Sequence, residues 1–130
     1  MPEETIFSKI IKGEIPSVKI YEDDVCIAIL DKFPNTEGQT LVIPKEEIDY
    51  LFDLEQETYD HVMNITKKVA EALDQALETE RTCIVIEGFE IPHSHVRMYP
   101  VKERNLDISS GPEKTLEELE EVAEKIRRFM

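Results

Sequence analysis

The sequence predicts an α+β fold, in which strand and helix segments occupy separate stretches of the chain. Three short apolar segments separated by turn residues lie in the first third of the sequence. A long segment with apolar residues at spacings of three and four follows, and two more apolar segments come after it. Apolar runs bounded by turn residues indicate strands, whereas spacings of three and four indicate a helix. The chain is therefore expected to combine a sheet with helices.

The N-terminal part predicts a short helix followed by three strands. Residues 5–12 form a short amphipathic helix that ends at Gly13, because glycine readily adopts the backbone conformation that terminates helices. The three strands are expected at Val18–Glu22, Val25–Asp31 and Gln39–Pro44. Their connections are the Asp23-Asp24 turn and the loop Phe33–Gly38, which are short enough for an antiparallel meander.

The C-terminal part predicts two helices and two strands. A helix from about Glu55 to Leu77 has one apolar stripe, formed by Val62, Ile65, Val69, Leu73 and Leu77. Strands are expected at Arg81–Glu87 and Ser94–Val101. The last helix begins at Thr115, which forms a capping box with Glu118. Its apolar face is expected to pack on the sheet or on a partner subunit, through Leu116, Leu119, Val122, Ile126 and Phe129.

Length and charge limit the class of protein. The 130 residues suit a single domain, residues 1–130, with one core. With 29 acidic against 15 basic residues, the net charge of −14 disfavours nucleic acid and anionic membranes as partners. It does not exclude a small nucleotide in a locally positive pocket. Cys26 and Cys83 lie in apolar runs and are expected to be buried free thiols. Together with the lack of a signal peptide or membrane-spanning run, they predict a cytoplasmic protein.

The segment Ile91–Pro100 concentrates the chemical groups of the chain. It contains two of the three histidines, His93 and His95, and is expected to be a strand. Because side chains alternate along a strand, His93, His95 and Arg97 would share one face. Two imidazoles and a guanidinium in a row are suited to an anion such as phosphate.

The residues alone leave three interpretations of His93 and His95. The pair could supply two metal ligands, although the third histidine, His61, lies on the long helix with no sequence reason to reach them. The pair could be structural. Alternatively, a neutral imidazole could attack a phosphoryl group and form a covalent phosphoramidate, with Arg97 stabilising the phosphate charge.

Four blocks of sequence, in order, resemble the histidine triad (HIT) family of nucleotide hydrolases and transferases. The blocks are Ile6–Pro16, Tyr21–Asp24 with Ala28–Asp31, Gly38–Lys45 and Pro92–Val96. The resemblance spans about residues 5–101, and the C-terminal helix at 113–130 lies beyond it. It implies a five-stranded antiparallel sheet with one long helix packed on it. It also implies a homodimer in which two subunits join their sheets.

The resemblance implies catalytic roles for the histidine segment. His95 would be the nucleophile, attacking the α-phosphate of a purine nucleoside phosphoramidate or dinucleoside polyphosphate and forming a transient nucleotidyl-histidine. His93 would be the first triad histidine, orienting His95 through its carbonyl and ring. Arg97 would occupy the third triad position.

The resemblance also implies a nucleotide pocket, and no cofactor is expected. Asp31 would bind the ribose hydroxyls. The remaining nucleotide-binding positions are Phe7, Ile15 and Ile29 around the base, with Gln39 and Gly88. The partner is therefore expected to be a purine nucleotide or a nucleotide conjugate.

The chain departs from the family pattern at several positions. Arg97 replaces a histidine and can bind phosphate, but it cannot deliver a proton because it stays charged. Gln39 replaces a fourth histidine found in many members, and Glu90 places an anion near the expected phosphate.

Family members with a structural zinc have a Cys-x-x-Cys pair where this chain has Thr5 and Ser8. The residues directly after Lys45 are Glu46 and Glu47, where such members have a histidine, so no structural zinc is expected. The alternative functions are a non-catalytic nucleotide-binding module of the same fold and a metal-dependent hydrolase using His93 and His95.

Overall fold

The computed structural model describes residues 4–130, and residues 1–3 of the expected domain lie outside the described range. The helices are α1 (Ile6–Ile11), α2 (Gln56–Leu77) and α3 (Leu116–Arg127), with a 3₁₀ turn at Leu51–Asp53. The strands are β1 (Lys19–Glu22), β2 (Cys26–Leu30), β3 (Thr40–Pro44), β4 (Arg81–Val85) and β5 (Val96–Val101). They form a five-stranded antiparallel sheet in the order β1-β2-β3-β5-β4. The α+β class and the five-stranded antiparallel sheet with a long helix are confirmed.

The two faces of the sheet are covered by different helices. On β2, Cys26, Ala28 and Leu30 belong to the apolar core that contains α2, whereas Ile27 and Ile29 belong to the core that contains α1. This alternation follows from the two-residue period of a strand and explains why every residue of β2 is buried. The apolar stripe expected for α2 is buried along its whole length.

The C-terminal helix α3 packs on its own chain. Leu119, Ala123 and Ile126 are buried in the same core as α2 and β1. The capping box at Thr115 is present, and Arg127 donates to the Lys19 carbonyl of β1 at 2.6 and 3.0 Å. The expected apolar face was too long at both ends: Leu116, the first residue of the helix, is 41% exposed, and Phe129, which lies beyond the last residue of the helix, is 46% exposed.

The histidine segment does not lie within a strand, which corrects the expectation for residues 91–95. The amide of His93 donates to the Ile91 carbonyl, and the amide of Ser94 donates to the Ile48 carbonyl. These groups are thus bonded to a local turn and to the loop after β3 instead of a neighbouring strand. Strand β5 begins only at Val96.

Strand β4 lies at an edge of the sheet and ends at Val85, two residues before the expected end at Glu87. Both cysteines are free thiols; Cys26 is buried as expected, but Cys83 is only partly buried because β4 is an edge strand. Within residues 4–130, no helix has the length and apolar character needed to cross a membrane.

Candidate functional site

A cavity of about 430 Å³ opens on the α1 side of the sheet. Its walls come from α1, the end of β2, the loop before β5 and the beginning of α3. The structure brings these expected site residues into its lining: Phe7, Ile15, Ile29, Asp31, His95 and Arg97. The apolar members lie on α1, on β2 and in the loop between α1 and β1, and the polar members lie at or near strand ends, so the cavity has an apolar part and a polar part.

His95 is held in one protonation form by its neighbours. Its Nδ1 lies 2.8 Å from the carbonyl oxygen of His93. A carbonyl can only accept, so Nδ1 carries the hydrogen and the neutral ring has its lone pair on Nε2. Burial lowers the pKa of His95, and the Arg97 charge adds to this against the raising effect of the His93 carbonyl. The imidazole is therefore neutral near pH 7, with one ring nitrogen free to act as a nucleophile.

His93 is fully buried and lies outside the cavity lining. Its Nε2 lies 2.7 Å from the Pro44 carbonyl oxygen, and its Nδ1 lies 3.0 Å from Thr5 Oγ1. Both ring nitrogens are engaged, which leaves neither for a metal ion or a phosphate. The contact of His93 with His95 runs through the main-chain carbonyl, the geometry that the expected orienting role requires.

Arg97 lies at the polar end of the cavity next to a carboxylate. Its Nη1 is 3.4 Å from Glu87 Oε1, and its guanidinium carbon lies 5.6 Å from the centre of the Tyr99 ring. The cation–π contact and the ion pair restrain the side chain. The charged cavity residues are mainly acidic: Asp31, Glu87, Glu90 and Glu113 against Lys32 and Arg97.

Asp31 is oriented by Gln39 from behind the cavity. Gln39 Nε2 donates to Asp31 Oδ2 at 2.8 Å, and Gln39 Oε1 accepts from the Asn35 amide at 2.8 Å. Gln39 is 1% exposed and does not line the cavity, so any contribution to nucleotide binding passes through Asp31. Gly88 also lies outside the lining, in the loop that carries Glu87 and Glu90.

A C-terminal wall of the cavity was missed by the sequence analysis. Ser110, Glu113 and Leu116 line the cavity. The segment is fastened to the loop after β2, because the amides of Gly111 and Lys114 donate to the Phe33 and Lys32 carbonyls at 3.0 and 2.9 Å. No local pattern indicates such a contact between residues about eighty positions apart.

A second cluster of ligand-type side chains lies at the turn between β1 and β2. The ligand atoms of Asp23, Cys26 and His61 all lie within 4.8 Å of one another. Asp23 Oδ2 is already bonded to Tyr21 Oη at 2.7 Å and to His61 Nε2 at 2.6 Å. Burial raises the pKa of Cys26 to about 12, which disfavours the thiolate that a metal would need. A structural hydrogen-bonded cluster explains these contacts, and the expectation of no metal stays a prediction.

The fold and the sequence of this chain have counterparts among known proteins. Residues 12–104 match the family model of the HIT domain. The chain belongs to the HIT family. The crystal structure of a HIT-like protein involved in cell-cycle regulation from Bartonella henselae superposes with a TM-score of 0.88 at 34% identity, covering 99% of this chain and 98% of that one.

Two curated HIT relatives have names that state an activity. The adenylylsulfatase HINT3 of Arabidopsis thaliana is 30% identical over 110 residues, which cover 81% of this chain and 56% of the relative. The adenosine 5'-monophosphoramidase hnt1 of Schizosaccharomyces pombe is 41% identical over 68 residues, covering 52% of this chain and 51% of the relative. The alignments span about half the length of these two relatives. This HIT protein thus has nucleotide hydrolases among its homologues.

Proposed function

We propose that this protein is a nucleotidyl hydrolase or transferase in which His95 attacks the α-phosphate of a purine nucleoside phosphoramidate or dinucleoside polyphosphate. The observation that carries the proposal is the pairing of His95 Nδ1 with the His93 carbonyl at 2.8 Å in the wall of the cavity. That bond leaves a neutral imidazole with an unprotonated Nε2. The names of the Arabidopsis and Schizosaccharomyces relatives support chemistry at an adenosine phosphate.

The proposed pocket holds a nucleoside at its apolar end. The base packs among Phe7, Ile15 and Ile29, which line the cavity together. The carboxylate of Asp31, oriented by Gln39, accepts hydrogen bonds from the ribose hydroxyls. This arrangement directs the α-phosphate towards His95 and Arg97, at the polar end of the same cavity.

The proposed reaction has two displacements at phosphorus. His95 Nε2 forms a bond to the α-phosphorus while the bond to the leaving group breaks, which gives a nucleotidyl-histidine. Water then attacks the same phosphorus, releases the nucleoside monophosphate and restores neutral His95. Arg97 binds phosphate oxygens as charge develops, but it stays protonated and cannot hand a proton to the leaving group. Substrates whose leaving group departs without protonation by the enzyme are therefore favoured.

Detection of the covalent nucleotidyl-histidine intermediate tests the proposed mechanism directly. Mass spectrometry of protein quenched during turnover of a dinucleoside polyphosphate, whose leaving group departs as a nucleotide anion, or of a fluorogenic adenosine phosphoramidate should find one adenylyl adduct, located on His95. The adduct should be missing from His95→Asn. Unchanged turnover by His95→Asn, with no adduct on the wild-type protein, would rule the mechanism out.

A non-catalytic nucleotide-binding module is the second candidate. The observation that favours it is the ion pair between Arg97 and Glu87, with Glu90 also in the cavity wall, because these carboxylates reduce the positive potential at the phosphate. This function predicts micromolar binding of AMP without turnover of phosphoramidates or dinucleoside polyphosphates. A burst of adenylylated protein on mixing with substrate would exclude it.

We also propose that the protein forms a homodimer through the β4 edge of the sheet. Ile84 and Ile86 are 42% and 36% exposed on and just after this edge strand. Apolar edge strands are usually paired or covered. Sedimentation velocity should give a dimer at micromolar concentration, whereas a monomer at high micromolar concentration would contradict the proposal.

A further inference from the structure

We propose that Thr5, Ser8 and Glu47 form a positioning network that fixes the ring of His93 and, through the His93 carbonyl, the tautomer of His95. The catalytic part of this inference rests on the proposed function, whereas its structural part concerns the resting protein. None of the three side chains lines the cavity, so their effect on the reaction passes through His93.

The network connects the buried His93 to two segments that are distant from it in sequence, the start of α1 and the loop after β3. Thr5 Oγ1 lies 3.0 Å from His93 Nδ1, and Ser8 Oγ lies 3.5 Å from the same nitrogen. Glu47 Oε1 accepts from Ser8 Oγ at 2.5 Å and from the Thr5 amide at 3.2 Å. Thr5 is 8% exposed and His93 is fully buried, so water cannot readily replace the contact between them.

The direction of each proton follows from the acceptors. The Pro44 carbonyl can only accept, so His93 carries its hydrogen on Nε2, at 2.7 Å from that oxygen. In the neutral tautomer the lone pair is on Nδ1, and we assign the Thr5 hydroxyl hydrogen to this nitrogen, at 3.0 Å, in preference to Ser8 Oγ, at 3.2 Å. Thr5 Oγ1 at the same time accepts from the Ser8 amide at 3.0 Å and caps α1. Ser8 donates its own hydroxyl to the Glu47 carboxylate.

This set of bonds connects the nucleoside end of the cavity to the nucleophile. The helix capped by Thr5 carries Phe7, whose ring centre lies 5.9 Å from that of His93 and 4.8 Å from that of His95, both in edge-on geometry. With His93 held at both ring nitrogens, its carbonyl stays aimed at His95 Nδ1. When His95 attacks phosphorus, positive charge develops on its ring and this hydrogen bond strengthens. Small errors in the position of the nucleophile lower the rate strongly.

Substitutions of Thr5 can separate the network from simple helix capping. Aspartate is as good an N-cap as threonine, but its carboxylate has no hydrogen to donate to His93 Nδ1. Thr5→Asp should therefore keep α1 and draw a second proton onto the His93 ring. Thr5→Ser keeps both functions and is the matched control.

A second pair of substitutions tests the outer part of the network. Ser8→Ala removes the link to Glu47 while leaving the Thr5 cap in place. Glu46→Gln is the control for Glu47→Gln, because Glu46 is a neighbouring exposed carboxylate outside the network.

The readout is imidazole ¹⁵N NMR together with steady-state kinetics. The chain has only three histidines, so each ring can be assigned, with His61 as the internal reference. Wild-type protein should show His93 protonated on Nε2 and His95 on Nδ1. Thr5→Asp should show doubly protonated His93 near neutral pH and about a tenfold lower kcat with KM within twofold. Thr5→Ser and Glu46→Gln should match wild type. Ser8→Ala and Glu47→Gln should lose severalfold in kcat.

The two parts of the inference fail separately from the proposed function. Wild-type imidazole signals and wild-type kcat in Thr5→Asp would overturn the network. If Thr5→Asp does not fold, wild-type signals and kcat in both Ser8→Ala and Glu47→Gln would overturn it. If wild-type protein turns over no nucleotide substrate, the proposed function fails, and the NMR signals alone decide whether the network holds His93 and His95.

Discussion

The two faces of the sheet use histidine in different ways. On the α2 face, His61 is 38% exposed at its side chain and binds a carboxylate, Asp23, at 2.6 Å. On the α1 face, His95 is buried in a cavity wall and binds only a main-chain carbonyl through its Nδ1. The Asp23 carboxylate occupies Nε2 of His61, whereas burial beside a carbonyl keeps the His95 ring neutral with a free lone pair on Nε2. The partner and the burial, more than the histidine itself, determine which site can perform nucleophilic chemistry.

Asp23 and Asp31 differ in the same way: one is bonded within the protein on the α2 face, and the other faces the cavity. Burial by itself raises the pKa of Asp23, but hydrogen bonds from Tyr21, the Cys26 amide and His61 outweigh it and hold the pKa well below its usual range. Those contacts tie the β1–β2 turn to α2. Asp31, in the cavity, accepts from Gln39 and from the Phe33 amide and keeps a cavity-facing surface. Asp23 is saturated by the protein, and Asp31 has room for a ligand.

The largest expected effect separates the two histidines. His95→Asn should lower kcat by about a thousandfold or more, because it removes the attacking nitrogen. His61→Asn should keep kcat within about twofold and lower the melting temperature, because it loses the contact with Asp23. Steady-state kinetics and thermal unfolding check both variants. Equal losses of kcat in His95→Asn and His61→Asn would contradict the conclusion that only the α1 face holds the nucleophile.

A second comparison uses the two aspartates. Asp31→Asn should raise KM about tenfold with little change in stability, because it weakens the acceptor for ribose hydroxyls. Asp23→Asn should leave KM unchanged and lower the free energy of unfolding by about 1–3 kcal/mol. The depressed pKa of Asp23 contributes stability above its ordinary value of 3.8. That contribution should therefore shrink as the pH falls below about 4. Urea unfolding of the wild-type protein and of Asp23→Asn at pH 3 and pH 6 measures this contribution. A larger difference in unfolding free energy between these two proteins at pH 3 than at pH 6 would contradict the stabilising role of Asp23.

A third prediction concerns the C-terminal wall of the cavity. A Cβ at Gly111 would lie 1.9 Å from the Pro34 carbonyl oxygen, so Gly111→Ala must displace the segment carrying Ser110 and Glu113. KM should rise severalfold with a smaller change in kcat, and unfolding should become easier by about 1–3 kcal/mol. Glu103→Ala, at an exposed position in the preceding loop, is the control. Wild-type KM in Gly111→Ala would show that this wall does not contact the substrate.

The smallest expected effect is the pH dependence of the reaction. Because burial lowers the pKa of His95 from 6.5, the neutral nucleophile should persist to more acidic pH than a free histidine would allow. kcat/KM should stay level through pH 6.5 and fall only below it. An acid limb centred above pH 6.5 would indicate that another group controls the reaction.

Much of the fold could be predicted from local sequence. The predicted strand ends lie within two residues of the observed ends, and several coincide with them, while the α2 stripe is buried as its spacing indicates. Periodicity reports which side of an element is apolar, and that is sufficient for strands and helices packed on one core. The prediction of a strand for the histidine segment was wrong, because the backbone amides of this segment donate to the Ile48 and Ile91 carbonyls, which no local pattern reveals. The single domain and the cytoplasmic location stay predictions.

Local spacing and short motifs were enough to predict the α+β class, the HIT family and the pairing of His93 with His95. The docking of distant segments shows that His93 lies behind His95 with both ring nitrogens occupied, and that Gln39 is bonded to Asp31. It also placed Thr5, Ser8 and Glu47 around one imidazole. The physical reason is that hydrogen bonds between distant segments depend on how helices and loops dock on the sheet, and the pattern of any one segment contains no record of that docking.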